Sequence, residues 1–336
     1  MATMPQGSTL CLEATRATLL RPIYPRYTNR YGTLHGGRLA WWILESGSMA
    51  AMKASRGYVV LGAIDYLFIL SPGRLGENLN VYSWVIGSTR HTLDVLTYAT
   101  AEPVGGGEER PVSLSIQTYV AVDENVRPRE HGVEVRPCSL EAEALTEIHR
   151  AWLEERRALV EERHKIASDT SRLTVPYHIE SYQIVGPDST FSLHNVLDAS
   201  KLFYTIDQIA AIAAIKAARA PVVTASFDAA VFASPARVGN ILRLEAGVTG
   251  VGRTSIEVLV KVVADDPVAE RSATVAKLYT VLVSVGPDGR PSPPPVKPVV
   301  PEELQKGFME RKRVREEKRR KVREIIEALK SMLYLV

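Results

Sequence analysis

A carboxylate stands where the sequence is otherwise hydrocarbon: Asp207, in LFYTIDQIAAIAAI. An ionised side chain among apolar neighbours is costly unless it is satisfied, so such a residue points to chemistry rather than packing. The stretch TNRYGTLHGGRLAWW supplies parts that could work with it: the amide of Asn29 and a Gly36-Gly37 turn that opens a long helix. The free N–H groups and the dipole at a helix start favour a developing negative charge, and glycines let a ligand approach the backbone closely. A carboxylate base or nucleophile, an amide and an oxyanion site at Gly36 and Gly37 together could attack a carbonyl compound and bear the charge that forms on its oxygen.

The helix that Gly37 begins carries Leu39, Trp41, Trp42, Ile43, Leu44, Met49, Ala50, Ala51 and Met52, with only Arg38, Glu45 and small hydroxyls to meet water. A helix apolar nearly all round must be buried. Strands are expected after it at 59–70, 79–87, 92–101 and 112–122, separated by turn material such as SPGRLGEN and EPVGGGEER.

The chain then repeats itself. VVLGAIDYLFILSPGRLG, starting at Val59, matches VVTASFDAAVFASPARVG, starting at Val222; holding that offset without a gap from Asn29 to Arg90 gives 19 identities in 62 positions. The second repeat is expected to place a helix at 200–219 and strands at 222–233, 241–249, 255–264 and 273–285. One helix followed by consecutive strands implies an antiparallel sheet wrapped on the helix. The fold class is α+β, used twice and paired about a pseudo-twofold axis.

The repeat alignment separates two clefts. Asn29 falls on Ser192, His35-Gly36-Gly37 on Asp198-Ala199-Ser200, and Leu44 on Asp207. Seven helical residues span about 10 Å, so Asp207 is too far from the start of its own helix to share a reacting carbon with it. Its partner must be the N-terminus of the other helix. The opposite cleft, with Leu44, Ser192, Ala199 and Ser200, is expected to lack the carboxylate and to be inactive. His35 reads as a capping or packing residue, Asp65 and Asp228 as structural because both repeats keep them, and Arg90 and Arg253 equally as phosphate partners or fold-supporting ion pairs.

The totals fit a soluble globular protein, 46% hydrophobic and 24% charged in 336 residues, and a net charge of +3 gives no case for nucleic acid. Each repeat ends in a charged helical tail, the second behind the stiff linker PDGRPSPPPVKPVVP. Interleaved Glu and Arg/Lys there read as a solvated face ahead of a nucleic-acid or membrane surface. The expected division is 10–135 and 176–290 for the two repeats, 136–175 for a charged helical linker, and 291–336 for the Pro-rich linker and basic helix. Cys11 and Cys138 lie far apart with no metal-ligand spacing, which reads as reduced thiols in a cytoplasmic protein without a metal.

The pattern N-x-x-G-x-x-x-G-G, an acidic residue seven positions beyond the second Gly in one repeat, V-V-T-A-S-x-D, S-P-x-R-x-G and G-R-T-S resembles the double-hotdog cytosolic acyl-CoA hydrolases, among the hotdog-fold acyl-CoA thioesterases. The resemblance implies tandem hotdog domains, hydrolysis of acyl-CoA to free acid and CoA, and a working site formed by Asn29 of the first repeat and Asp207 of the second. It also implies CoA held partly by the turn carrying Arg253, Thr254 and Ser255, with Arg90 as the matching residue of repeat one, no further cofactor, and a trimer of double hotdogs. Gln208 stands where the family often has a second acidic residue, which leaves non-catalytic acyl-CoA binding as the alternative.

Overall fold

The duplication is visible in the order of elements. A computed structural model describes residues 8–161, 163–191 and 195–333. Repeat one runs through β1 (Ser8–Cys11), β2 (Ala17–Pro22), α1 (Gly36–Ser55), β3 (Val59–Ile69), β4 (Glu77–Ser88), β5 (Thr92–Pro103), β6 (Arg110–Ala121) and β7 (Val133–Arg136). The connection holds α2 (Leu140–Glu161) and α3 (Arg163–Ser168). Repeat two follows with β8 (Ile179–Ile184), β9 (Thr190–Phe191), β10 (Val196–Leu197), α4 (Ala199–Ala218), β11 (Val222–Phe232), β12 (Ile241–Val251), β13 (Ser255–Asp266) and β14 (Arg271–Ser284), and α5 (Glu302–Leu333) closes the described chain.

Ten strands form one sheet in the order β2-β4-β5-β6-β3-β11-β14-β13-β12-β8. Its first five strands belong to repeat one and its last five to repeat two. They join through the antiparallel pair β3·β11, where Leu67 faces Phe227 and Ile64 faces Ala230. Under the repeat alignment each of these pairs is the other with partners exchanged, which is the self-reciprocal register of a twofold contact. The two repeats are therefore tandem hotdog domains paired as a pseudo-dimer. The apolar faces of α1 and α4 are explained together: each helix packs on its own half-sheet and against its twin, with Leu39, Ile43, Leu44, Phe203, Ile206 and Ala210 in one continuous core. Few positions are left to meet water.

A second core lies on the other side of repeat one's half-sheet, where Phe68, Trp84, Ile86, Leu96 and Leu114 meet Trp152 of α2 and Val322, Ile325 and Leu329 of α5. The basic helix is thus docked by an apolar stripe, and part of its charge is internal. Arg311 Nη2 lies 2.6 Å from Glu257 Oε1, and Arg315 pairs with Asp228. Burial pushes the Asp228 carboxyl up and Arg315 opposes that shift, so Asp228 serves the fold.

One expectation fails outright. Cys11 and Cys138 are joined in a disulfide, with Cα atoms 5.5 Å apart. Their separation of 127 residues hid a local fact: β1 pairs in parallel with β7, setting Cys11 opposite Arg136. Among the described residues no helix is long and apolar enough to cross a membrane.

Candidate active site

The N-terminus of α1 reaches the middle of α4, as the repeat geometry requires. Gly37 N donates to Asp207 Oδ2 at 2.7 Å, and Thr224 Oγ1 on β11 donates to Asp207 Oδ1 at 2.6 Å. His35 Nδ1 lies 3.2 Å from the same Oδ2. Asp207 is 2% exposed, and burial raises its pKa above the ordinary carboxylate range, while His35, Thr224 and Gly37 work against the shift. The carboxylate is thus enclosed but satisfied, the condition under which a buried charge is tolerated.

The two glycines are required by contact rather than by turn geometry. A Cβ on Gly37 would lie 2.7 Å from Asp207 Cβ and 2.9 Å from the α4 backbone at Phe203 O and Tyr204 Cα, and one on Gly36 would lie 2.5 Å from Thr224 Cβ. Glycine alone lets α1 come this close to α4 and β11.

Asn29, Gly36, His35, Asp207 and Thr224 line one cleft of about 530 Å³, with Arg30, Tyr31, Ala211, Arg219 and Leu282 around them. Asn29 Oδ1 accepts from Tyr31 N at 2.9 Å, from Thr33 N at 3.3 Å and from Thr33 Oγ1 at 3.1 Å, an Asx-type turn that holds its own loop. What Asn29 has left to offer is the Nδ2 amino group, a donor.

Two expectations change here. The Gly37 amide is engaged by Asp207 and cannot also serve an oxyanion, so of the two glycines only Gly36 retains that possibility. His35 makes no side-chain cap on α1; its ring faces Asp207 and packs 5.1 Å from the Tyr204 ring. Thr224 is a site residue that the sequence reading passed over, although the signal was present: it aligns with Leu61, the same polar-for-apolar exchange as Asp207 with Leu44.

The remaining sites lie apart from this cluster. Arg253, Thr254 and Ser255 lie at the turn between β12 and β13, closed by Gly252 N to Ser255 O at 2.8 Å, with Arg253 exposed and the other two half-buried. Ser284 N donates to Thr254 O at 2.8 Å, which sets the turn two residues along β14 from the cleft residue Leu282. Arg90, 71% exposed, lies in the matching turn of repeat one and is paired with Glu130. Ser192 falls outside the described residues. Glu45, the acid next to Leu44, accepts from Arg21 Nη2 at 3.1 and 3.2 Å and takes no part in either cleft.

The pseudo-equivalent cleft, about 160 Å³, is lined by Leu44, Leu61, Tyr119, Asp198, Ala199 and Ser200 among others. Where Gly37 N reaches across to Asp207, Ser200 N turns back to its own cap, Asp198 Oδ1, at 2.9 Å. The Tyr119 hydroxyl donates to Leu44 O at 2.8 Å.

Known proteins resemble this duplicated chain in sequence and fold. The family model described as the thioesterase superfamily matches residues 31–103 and 202–270, once in each repeat. Over 318 residues the chain is 26% identical to a cytosolic acyl coenzyme A thioester hydrolase of Mus musculus, covering 88% of this chain and 81% of that one. It is 36% identical over 129 residues to the uncharacterized acyl-CoA thioester hydrolase YkhA of Bacillus subtilis (strain 168), 38% of this chain and 75% of the relative. A solved acyl-ACP thioesterase from Bacteroides thetaiotaomicron shares the fold, with a TM-score of 0.50 at 13% identity over 80% of this chain and 98% of that one. With a buried carboxylate held across the interface of two hotdog repeats, and these relatives beside it, the chain belongs to the hotdog-fold acyl-CoA thioesterase family.

Proposed function

We propose that the cleft between α1 and α4 hydrolyses acyl-CoA thioesters to free acid and CoA, with Asp207 as general base and Asn29 as the donor that fixes the thioester carbonyl. The observation that carries this reading is the 2.7 Å bond from Gly37 N to Asp207 Oδ2, which binds the carboxylate of one repeat to the helix start of the other. Asp207 takes a proton from water as the water oxygen bonds to the carbonyl carbon. The oxyanion that forms is met by Asn29 Nδ2 and by the Gly36 amide, one of the first-turn N–H groups that have no helical carbonyl to bond. Collapse breaks the C–S bond, and the thiolate leaves with the electron pair and is protonated.

We adopt the base role for Asp207: each carboxylate oxygen accepts from one fixed donor, which holds the group in place and leaves a lone pair for the proton. Arg253, Thr254 and Ser255, in the turn that bonds to β14 at Ser284, are assigned to the phosphate end of CoA; Arg90, held by Glu130, is assigned to the fold instead. The domain division at 10–135, 136–175, 176–290 and 291–336, a trimer of double hotdogs and cytoplasmic residence complete the proposal. The curated relatives named cytosolic support the last of these, and the disulfide is the feature that a cytoplasmic assignment has to accommodate.

A thiol-release assay over acyl-CoAs of different chain length tests the activity. Steady release of free CoA by the wild type is the expected result; acyl-CoA binding without turnover contradicts it. Single turnover in ¹⁸O-water tests the base role, which requires the label in the free acid and none in Asp207.

A further inference from the structure

We infer that His35 is the proton-transfer residue of this site, carrying the proton that Asp207 takes from water out to the leaving sulfur. The inference rests on the hydrolytic reading above and goes beyond it, because it names the group that passes on the proton Asp207 takes. Asp207 is enclosed, and its two hydrogen-bond donors, the Gly37 amide and the Thr224 hydroxyl, are held in place to donate to it. His35 is the third polar contact among the described residues. Its Nδ1 lies 3.2 Å from Oδ2, while the side chain is 27% exposed and lines the cleft. One ring therefore touches both the enclosed carboxylate and the open volume.

The alignment supports a dedicated role. Asp198, the matching residue of repeat two, caps its own helix through Ser200 N and Oγ. His35 stands at the same N-cap position and makes no side-chain cap, so its ring is free to turn to α4, where it packs on Tyr204. The ring is not aligned for a hydrogen bond to Oδ2 in the resting geometry, and Nδ1 is a buried nitrogen without a hydrogen-bond partner.

The transfer balances. Water gives one proton to Asp207 as the C–O bond forms. His35 Nδ1 takes it from Oδ2 as Nε2 releases a proton to the thiolate freed when the C–S bond breaks, and exchange with water in the open cleft returns the ring to its starting tautomer. The charged and titratable groups around His35 are Asp207, Tyr204 and Arg219 of α4, Arg38 of α1, and Arg30 and Tyr31 of the preceding loop; Thr224 of β11 completes the surroundings.

The test uses His35→Ala and the better-packed His35→Gln in the full chain, assayed by thiol release with and without added imidazole. Both variants are expected to lose kcat by about 10- to 100-fold, the range of one acid–base group, with KM within about threefold. Imidazole is expected to restore kcat in His35→Ala and to leave the wild type unchanged. Retention of wild-type kcat by both variants overturns the inference, and so does recovery of kcat by His35→Gln alone with no response of His35→Ala to imidazole. If the wild type itself releases no thiol, the hydrolytic reading fails instead, and the two failures are distinguishable.

Discussion

The two clefts are built from the same backbone and differ in a handful of side chains, and the comparison shows what makes one of them a site. In both, a helix start lies against the middle of the twin helix. In one cleft the amide at the second helical position, Gly37, crosses to a carboxylate; in the other the equivalent amide, Ser200, is taken by the cap of its own helix. The second difference is on the strand, where Thr224 donates to Asp207, while Leu61 and Leu44 at the matching positions line the other cleft. Removing the carboxylate from one cleft thus goes with an N-cap that satisfies the released amide and an apolar residue in place of the hydroxyl. Buried polar groups are tolerated only in satisfied sets, which is why the set is present or absent as a whole.

The comparison can be broken at several points. Gly37→Ala should have the largest effect among the supporting residues, a loss of kcat of about 100-fold or more. Its Cβ would collide with the α4 backbone and push the helix start away from Asp207, and displacements of an ångström at a reacting centre are worth that much. Retention of activity would show that the close approach of α1 and α4 is irrelevant.

Thr224→Val should lower kcat/KM by about 10-fold near neutral pH, and its pH profile sharpens the point. Asp207 works as a base only when ionised, and its pKa is raised by burial. Activity should therefore fall as pH drops through a limb lying above the ordinary carboxylate value of about 4. Thr224 holds that pKa down, so the limb should move to higher pH in Thr224→Val; movement to lower pH would contradict the assignment.

Leu61→Val and Ser200→Ala, in the other cleft, should change kcat by less than about twofold, since neither touches the reaction. Large losses there would mean that both clefts work.

The smallest effect expected is thermal. An acid whose folded pKa is raised contributes stability that is full below its unfolded pKa, about 3.9, and is lost as pH rises through the folded value. Asp207→Asn, which mimics the protonated acid, should then melt about 1–3 °C above the wild type at pH 7, with the gap closing towards pH 3. A lower Tm at pH 7 would show that the charged form is favoured by its surroundings overall.

Much of this was legible in the sequence because duplication supplies an internal control. The repeat offset placed both helices and the eight strands that follow them, and it paired Asp207 with the start of the other repeat's helix as the two sides of one cleft. The edge strands β2 and β8 were missed because ATLLRP and IESYQI are short and lack clean alternation. The disulfide was missed because chain separation says nothing about distance once β1 and β7 pair. Thr224 could have been found by the comparison that found Asp207, since both are polar where the twin is apolar. The partner of the Gly37 amide and the direction of the His35 ring were beyond reach, because they depend on how closely two helices pack.

The central claim, one working cleft assembled from both repeats, is tested most directly by comparing thiol release from an acyl-CoA by Asp207→Asn and by its twin-position variant, the volume-conserving Leu44→Met. The account predicts a loss of kcat of about 10³-fold in the first, within the range for a catalytic base, and a change below about twofold in the second. Comparable losses in both, or wild-type turnover by Asp207→Asn, would contradict it.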